Sequence, residues 1–147
     1  MSSQGPLSGL AGVRLLLVSG KGGVGKTAVA AALGSRAATS GQRVLLVSTD
    51  GRGDAAALFG RADPGYAETE LAPGVFGLIA EFDSLLADFV RTIAPVGFVS
   101  NRILASATFR YFTRATPGLS VLLLLGKVRE YLRRKKPLYG LVVVDAP

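Results

Sequence analysis

The chain has 147 residues, 49% of them hydrophobic and 18% charged, a composition that suits one globular domain with a real core. It contains neither cysteine nor histidine, so disulfides, thiolate metal sites and imidazole ligands or bases are excluded, and any metal must rest on oxygen donors, which favours Mg²⁺. The net charge of +7 admits nucleic acid or an acidic membrane surface as a partner, beside the plainer reading of a basic surface with none, and no apolar run approaches a membrane span.

Residues 1–12, rich in Ser and Gly, read as a loose leader without the basic start and long apolar stretch of a signal peptide. A cytoplasmic location is the expectation that follows. Residues 13–19 read as a buried parallel strand, apolar on both faces. Next comes Gly20-Lys21-Gly22-Gly23-Val24-Gly25-Lys26-Thr27, followed by Ala28 and an alanine-rich helix over residues 26–39 that turns Val29, Ala30, Leu33 and Ala37 to one side and stops at Gly41. Val44 to Val47 form a second buried strand ending in Ser48-Thr49-Asp50, which completes a βαβ unit.

Residues 51–73 are loop-rich, with one short helix over residues 54–59. A short strand is expected over residues 75–79. Phe82, Leu85, Leu86, Phe89, Val90 and Ile93 keep helical spacing, and Pro95 ends that helix. A further helix is expected over residues 104–113, with Arg102, Arg110 and Arg114 around Phe109 and Tyr111. Arginines interleaved with aromatics can bind single-stranded nucleic acid, but packed aromatics are the expectation here. Leu122, Leu125, Val128 and Leu132 define one face of a helix reaching residue 135, whose cationic end Arg133-Arg134-Lys135-Lys136 complements the helix dipole. Leu141-Val142-Val143-Val144-Asp145 reads as a buried strand ending in an acid. The fold expected is α/β, with a mostly parallel sheet flanked by helices.

The pattern G-x-x-x-x-G-K-[ST] at Gly20 to Thr27 is the phosphate-binding loop, here in a strand–loop–helix setting. Its glycines let backbone amides approach phosphate closely at the positive end of a helix. Lys26 would place its ammonium on the outer phosphates, and the Thr27 hydroxyl would supply one Mg²⁺ ligand. Ligands of open α/β sheets gather at the carboxyl ends of the strands, where Asp50 and Asp145 would join Thr27 around one phosphate–Mg²⁺ group. Asp145 fits the acid that holds an Mg²⁺-bound water, and Asp50 either joins the metal shell, positions water, or caps the turn after it.

The second lysine, Lys21, directly after the first glycine, makes this loop resemble the deviant form shared by the MinD and ParA ATPases, the nitrogenase iron protein and the ArsA anion-transporting ATPases. Val44 to Asp50, read as V-L-L-V-S-T-D, is most similar to the ArsA family. So are Asn101-Arg102-Ile103-Leu104, Pro117-Gly118-Leu119, Leu125-Gly126-Lys127 and Val142-Val143-Val144-Asp145-Ala146-Pro147. The resemblance covers nearly the whole chain after residue 12 and implies a P-loop NTPase domain over residues 13–147. It also implies ATP as substrate, Mg²⁺ as cofactor, and a homodimer closed through the nucleotide face. Lys21 would then reach the phosphates held by the second copy, Asp50 would orient the attacking water, and Asp145 would begin the segment that senses the γ-phosphate. Hydrolysis would open the dimer and release a client or membrane partner of unknown identity.

Ala28 departs from the second Thr or Ser usual in this group, removing a hydrogen bond worth about 1 kcal/mol. Gly51-Arg52-Gly53-Asp54 departs from the usual Pro-Ala-His-Ser, and the missing cysteines leave arsenite pumping and a zinc-clasped dimer without support. The chain stops just after Asp145, so an incomplete sheet and a fragment of a longer ATPase are expected. Two other functions stay open: a nucleotide-binding or regulatory module without turnover, and a ParA-like or MinD-like partitioning ATPase suggested by the basic charge. Nothing in the sequence reads bases, so specific nucleic-acid binding is not expected.

Overall fold

A computed structural model of the chain describes residues 12–49, 54–133 and 137–146. Residues 1–11 of the leader, Asp50 with Gly51-Arg52-Gly53 of the altered segment, the cationic run Arg134-Lys135-Lys136 and Pro147 lie outside the described residues.

Five strands form one sheet in the order β1-β5-β2-β4-β3. Strands β1 (Leu15–Val18), β5 (Leu141–Asp145), β2 (Val44–Ser48) and β4 (Val75–Ile79) run parallel, and β3 (Thr69–Ala72) closes the sheet antiparallel to β4. The α/β architecture with a mostly parallel sheet is the one expected. The period-2 alternation of strands divides the core in two. Val44, Leu46, Leu141 and Val143 face helix α1 (Lys26–Thr39) and the short α2 (Asp54–Ala57). Leu45, Val47, Val142 and Val144 face helices α3 (Phe82–Ile93) and α6 (Leu119–Arg133) through Leu85, Leu86, Val90, Leu123, Val128 and Tyr131. Full burial of each such Leu or Val contributes roughly 1.5–3 kcal/mol, and in β2 and β5 only the last residue is polar.

Strand β1 pairs only with β5 among the described residues, so the run read as buried on both faces lies at a sheet edge, with Leu17 59% exposed. Helix α1 approaches the sheet closely at Gly34, where an added Cβ would stand 2.8 Å from Leu46 Cδ2. Leu46 is itself buried in the core, so Gly34→Val should overpack the α1–β2 contact and destabilise the protein by about 1–3 kcal/mol. A chemical denaturation curve that leaves the midpoint where it was would contradict this.

Several helix readings need correction. Residues 104–113 are not one helix: α4 (Gly97–Ala105) ends at Ser106, and α5 (Ala107–Ala115) begins there. Ser106 has extended backbone, and its hydroxyl accepts a hydrogen bond from the Phe109 N–H, a side-chain cap that competes with continuing the helix. Phe109 packs against the core as expected, whereas Tyr111 is 77% exposed. In α6 the buried residues are Leu123, Val128 and Tyr131, while Leu122 and Leu125 face outward, Leu122 at 66% exposure. In α1 the buried residues are Ala30, Ala31 and Gly34, with Val29 turned to the outside.

Polar pairs pin α6 to its neighbours. Lys127 Nζ lies 2.7 Å from Asp88 on α3, whose other hydrogen bond comes from the Tyr66 hydroxyl at 2.6 Å. Burial alone would raise the Asp88 carboxyl, but hydrogen bonds from Lys127 and Tyr66 outweigh it and hold the carboxyl below its ordinary range. The Tyr131 hydroxyl donates to Glu68 at 2.8 Å, and Tyr139 donates to the other oxygen of the same carboxylate. Burial first, then the bond to Glu68, pushes the Tyr131 phenol well above its usual value.

Candidate functional site

The site sits where β1 turns into α1. Left-handed backbone at Gly23 (φ 78°) and Gly25 (φ 87°) is a conformation that residues with a Cβ rarely adopt, and it is what folds the loop tightly enough to enter the helix directly. Gly25 is the residue before the helix, and no side chain caps it. The first turn of α1 also carries no acid. Its unpaired amides and the positive end of its dipole are thus left for an anion from outside the fold.

Gly22, Gly23, Gly25, Lys26, Thr27 and Ala28 line a cavity of about 610 Å³ together with a wall of Thr49, Asp54, Leu58, Asp145 and Ala146. Lys26 Nζ donates to the Lys21 carbonyl at 3.4 Å, so its ammonium lies back across the loop. Lys21 itself is exposed, and among the described residues its ammonium enters no hydrogen bond or ion pair. Gly20 and Val24, the remaining loop positions, are exposed as well. Ala28 presents a methyl group where a hydroxyl would give one more donor.

Asp145, at the tip of β5, is paired in register with Val18 on one side and Ser48 on the other, and only 8% of it is exposed. Its carboxylate accepts a hydrogen bond from the Thr27 hydroxyl at 2.6 Å, the short distance of a charge-assisted bond. Thr27 and Asp145, 118 positions apart in the chain, are thus brought together by the adjacency of β1 and β5. One hydroxyl and one carboxylate, with room beside them, suit Mg²⁺, which keeps several waters and takes phosphate oxygens in preference to an all-protein cage. No cluster of three or more acidic, histidine or cysteine side chains occurs among the described residues, so the donor set offers no alternative metal cage. Asp50, the third expected member, lies outside the described residues.

Sequence reasoning missed two features of this wall. The Thr49 hydroxyl donates to the Asp145 main-chain carbonyl at 2.9 Å, and the Ala146 N–H donates to the Val18 carbonyl at 2.9 Å. The first had a signal, since Thr49 stands just past the end of a strand in a Ser-Thr-Asp run; the second is a backbone bond that no side chain announces. A second cleft, of about 520 Å³, lies between the start of α3 and the α5–α6 junction, lined by Glu81, Asp83, Arg114 and Ser120 among others, with Arg114 paired to Asp83 at 2.7 Å.

A parallel sheet, a glycine loop feeding an uncapped helix, and a threonine–aspartate pair at adjacent strand tips define a P-loop NTPase fold. Residues 13–147 match the family described as anion-transporting ATPase, and the chain belongs to that family. It is 36% identical over 155 aligned positions to the ATPase BagA of Mycobacterium tuberculosis, an alignment that covers 99% of this chain and 46% of that protein. It is 31% identical over 96 positions to the arsenical pump-driving ATPase of Escherichia coli, covering 58% of this chain and 16% of the pump protein. The chain thus spans about half the length of the first of these relatives. Among the described residues no helix is long and apolar enough to cross a membrane.

Proposed function

We propose that the chain supplies the phosphate- and metal-binding part of a Mg²⁺-dependent ATPase that acts in the cytoplasm as a homodimer. The observation that carries this reading is the 2.6 Å contact between Thr27 and Asp145 at the mouth of the glycine loop. ATP as substrate is supported by membership of the ATPase family and by the relatives' names.

In this reading the loop amides and the start of α1 bind the phosphate chain, and Lys26 swings from the Lys21 carbonyl to neutralise the outer phosphates. Thr27 and Asp145 would hold Mg²⁺, which when bound neutralises charge on the terminal phosphates. Asp50 orients the attacking water, so that the γ-phosphate is transferred to water and ADP leaves. Catalysis comes from positioning and charge stabilisation, because phosphoryl transfer needs little covalent help from protein. Lys21, whose ammonium enters no hydrogen bond or ion pair among the described residues, completes the site of a second copy, and hydrolysis opens that dimer to release a client or membrane partner.

Lys21→Ala tests the dimeric enzyme directly. Nucleotide affinity should stay within about twofold of the parent, whereas steady-state phosphate release should fall by about 10²-fold, the scale of losing one transition-state charge contact. Turnover unaffected by the substitution would remove Lys21 and the dimer from the mechanism. The Ala28 methyl favours a second reading, a nucleotide-binding module without turnover; tight binding with no phosphate release by the parent protein would select it.

A further inference from the structure

We propose that Thr49 is a positioning residue that fixes the Asp145 carboxylate for Mg²⁺, an inference that rests on the metal-binding reading of the Thr27–Asp145 pair. Ser48 is the last residue of β2 paired with β5, and its carbonyl is taken by the Ala80 N–H at 2.8 Å on the other side. Beyond it the Thr49 hydroxyl takes over, donating to the Asp145 carbonyl at 2.9 Å. The N–H at the other end of that peptide, from Ala146, donates to Val18 on β1 at 2.9 Å. The Asp145–Ala146 peptide is thereby held from both neighbouring strands, by a hydroxyl on one side and a backbone carbonyl on the other.

That clamp matters because the Asp145 side chain is aimed by the same α-carbon. A turn of the peptide plane would swing the carboxylate away from the Thr27 hydroxyl, and a metal-binding constellation tolerates only about 0.5 Å of such drift. Thr49 also lines the same cavity as Lys26 and Thr27, so its bond forms part of the wall facing the ligand. In the sequence it directly precedes Asp50, and one hydroxyl thus links the end of β2 to the acid on β5.

Thr49→Val keeps the shape of the side chain and removes only the donor; Thr49→Ser keeps the donor and removes a methyl group. The readout is binding of a fluorescent ADP analogue to the purified protein, titrated with Mg²⁺ and repeated without metal, which needs no hydrolysis. For Thr49→Val the Mg²⁺ concentration giving half of the metal-dependent gain in affinity should rise roughly five- to tenfold, as expected for losing one hydrogen bond. Affinity without metal should be unchanged, and Thr49→Ser should return the Mg²⁺ midpoint to the parent value. An unmoved midpoint in Thr49→Val, or Thr49→Ser behaving like Thr49→Val, would overturn the proposal. A parent protein whose ADP binding ignores Mg²⁺ contradicts the metal-binding reading itself, and the two failures are told apart by the parent titration.

Discussion

Lys26→Ala should leave the protein folded and deprive it of tight nucleotide binding. The side chain opens α1, and its hydrogen bond to the Lys21 carbonyl is long at 3.4 Å, so little native structure depends on it. Alanine is also at least as good a helix former as lysine. What disappears is the positive side chain that begins the helix and lines the cavity at the glycine loop. Two unit charges 4 Å apart at a site of intermediate polarity interact by about 4 kcal/mol, so affinity for a triphosphate should fall on the order of 10²- to 10³-fold. An equilibrium titration with ATP, beside a thermal unfolding curve, checks both halves of the expectation. Binding within threefold of the parent would mean that the loop does not cradle phosphate through this lysine.

Asp145→Asn is expected to act on the metal and hardly on the fold. The amide has the same shape, and its oxygen can still accept the Thr27 hydroxyl, so the buried strand tip keeps its hydrogen bond. The negative charge is lost, and with it the carboxylate that accepts the Thr27 hydroxyl. Phosphate release should fall by about 10²-fold or more, and added Mg²⁺ should no longer tighten nucleotide binding. Removing the metal from the parent protein with a chelator should bring its turnover down to the same level. A variant that keeps its Mg²⁺ response would show that the metal is held elsewhere.

The parts of this site that were legible in the sequence are those whose residue types have no other common use. Four glycines with Lys26-Thr27 demand a loop that bends where only glycine can, and left-handed Gly23 and Gly25 supply that bend. The apolar runs of β2 and β5 announce strands covered on both faces, and the structure buries every residue of each. Thr27 and Asp145 meet because β1 and β5 are adjacent, an order that apolar runs alone do not state.

Other elements carry a weaker code. β3 looks like loop in the sequence because Thr69-Glu70-Leu71-Ala72 buries only Leu71 and sits at a sheet edge, where alternation is shallow. Its one signal was Pro73-Gly74 before β4, a turn dipeptide that matches the positive φ of Gly74. In α6 four consecutive leucines, Leu122 to Leu125, give the helix no phase. Its inward face is set by Val128 and by Tyr131, whose hydroxyl reaches Glu68. The break at Ser106 is a choice between a continuing helix and a side-chain cap, and apolar spacing does not report it. That β1 pairs only with β5 among the described residues escapes the sequence as well, since an apolar run has the same appearance at an edge or a centre.

The Thr27–Asp145 pair at the end of the glycine loop should work with Mg²⁺ on a nucleoside triphosphate. Phosphate release from ATP by the purified protein, followed over a range of protein concentrations with Mg²⁺ and with chelator, tests it most directly. Release should require Mg²⁺, and its rate per molecule should rise with protein concentration as pairs form. Saturable ATP binding with no Mg²⁺-dependent phosphate release at any concentration would contradict it.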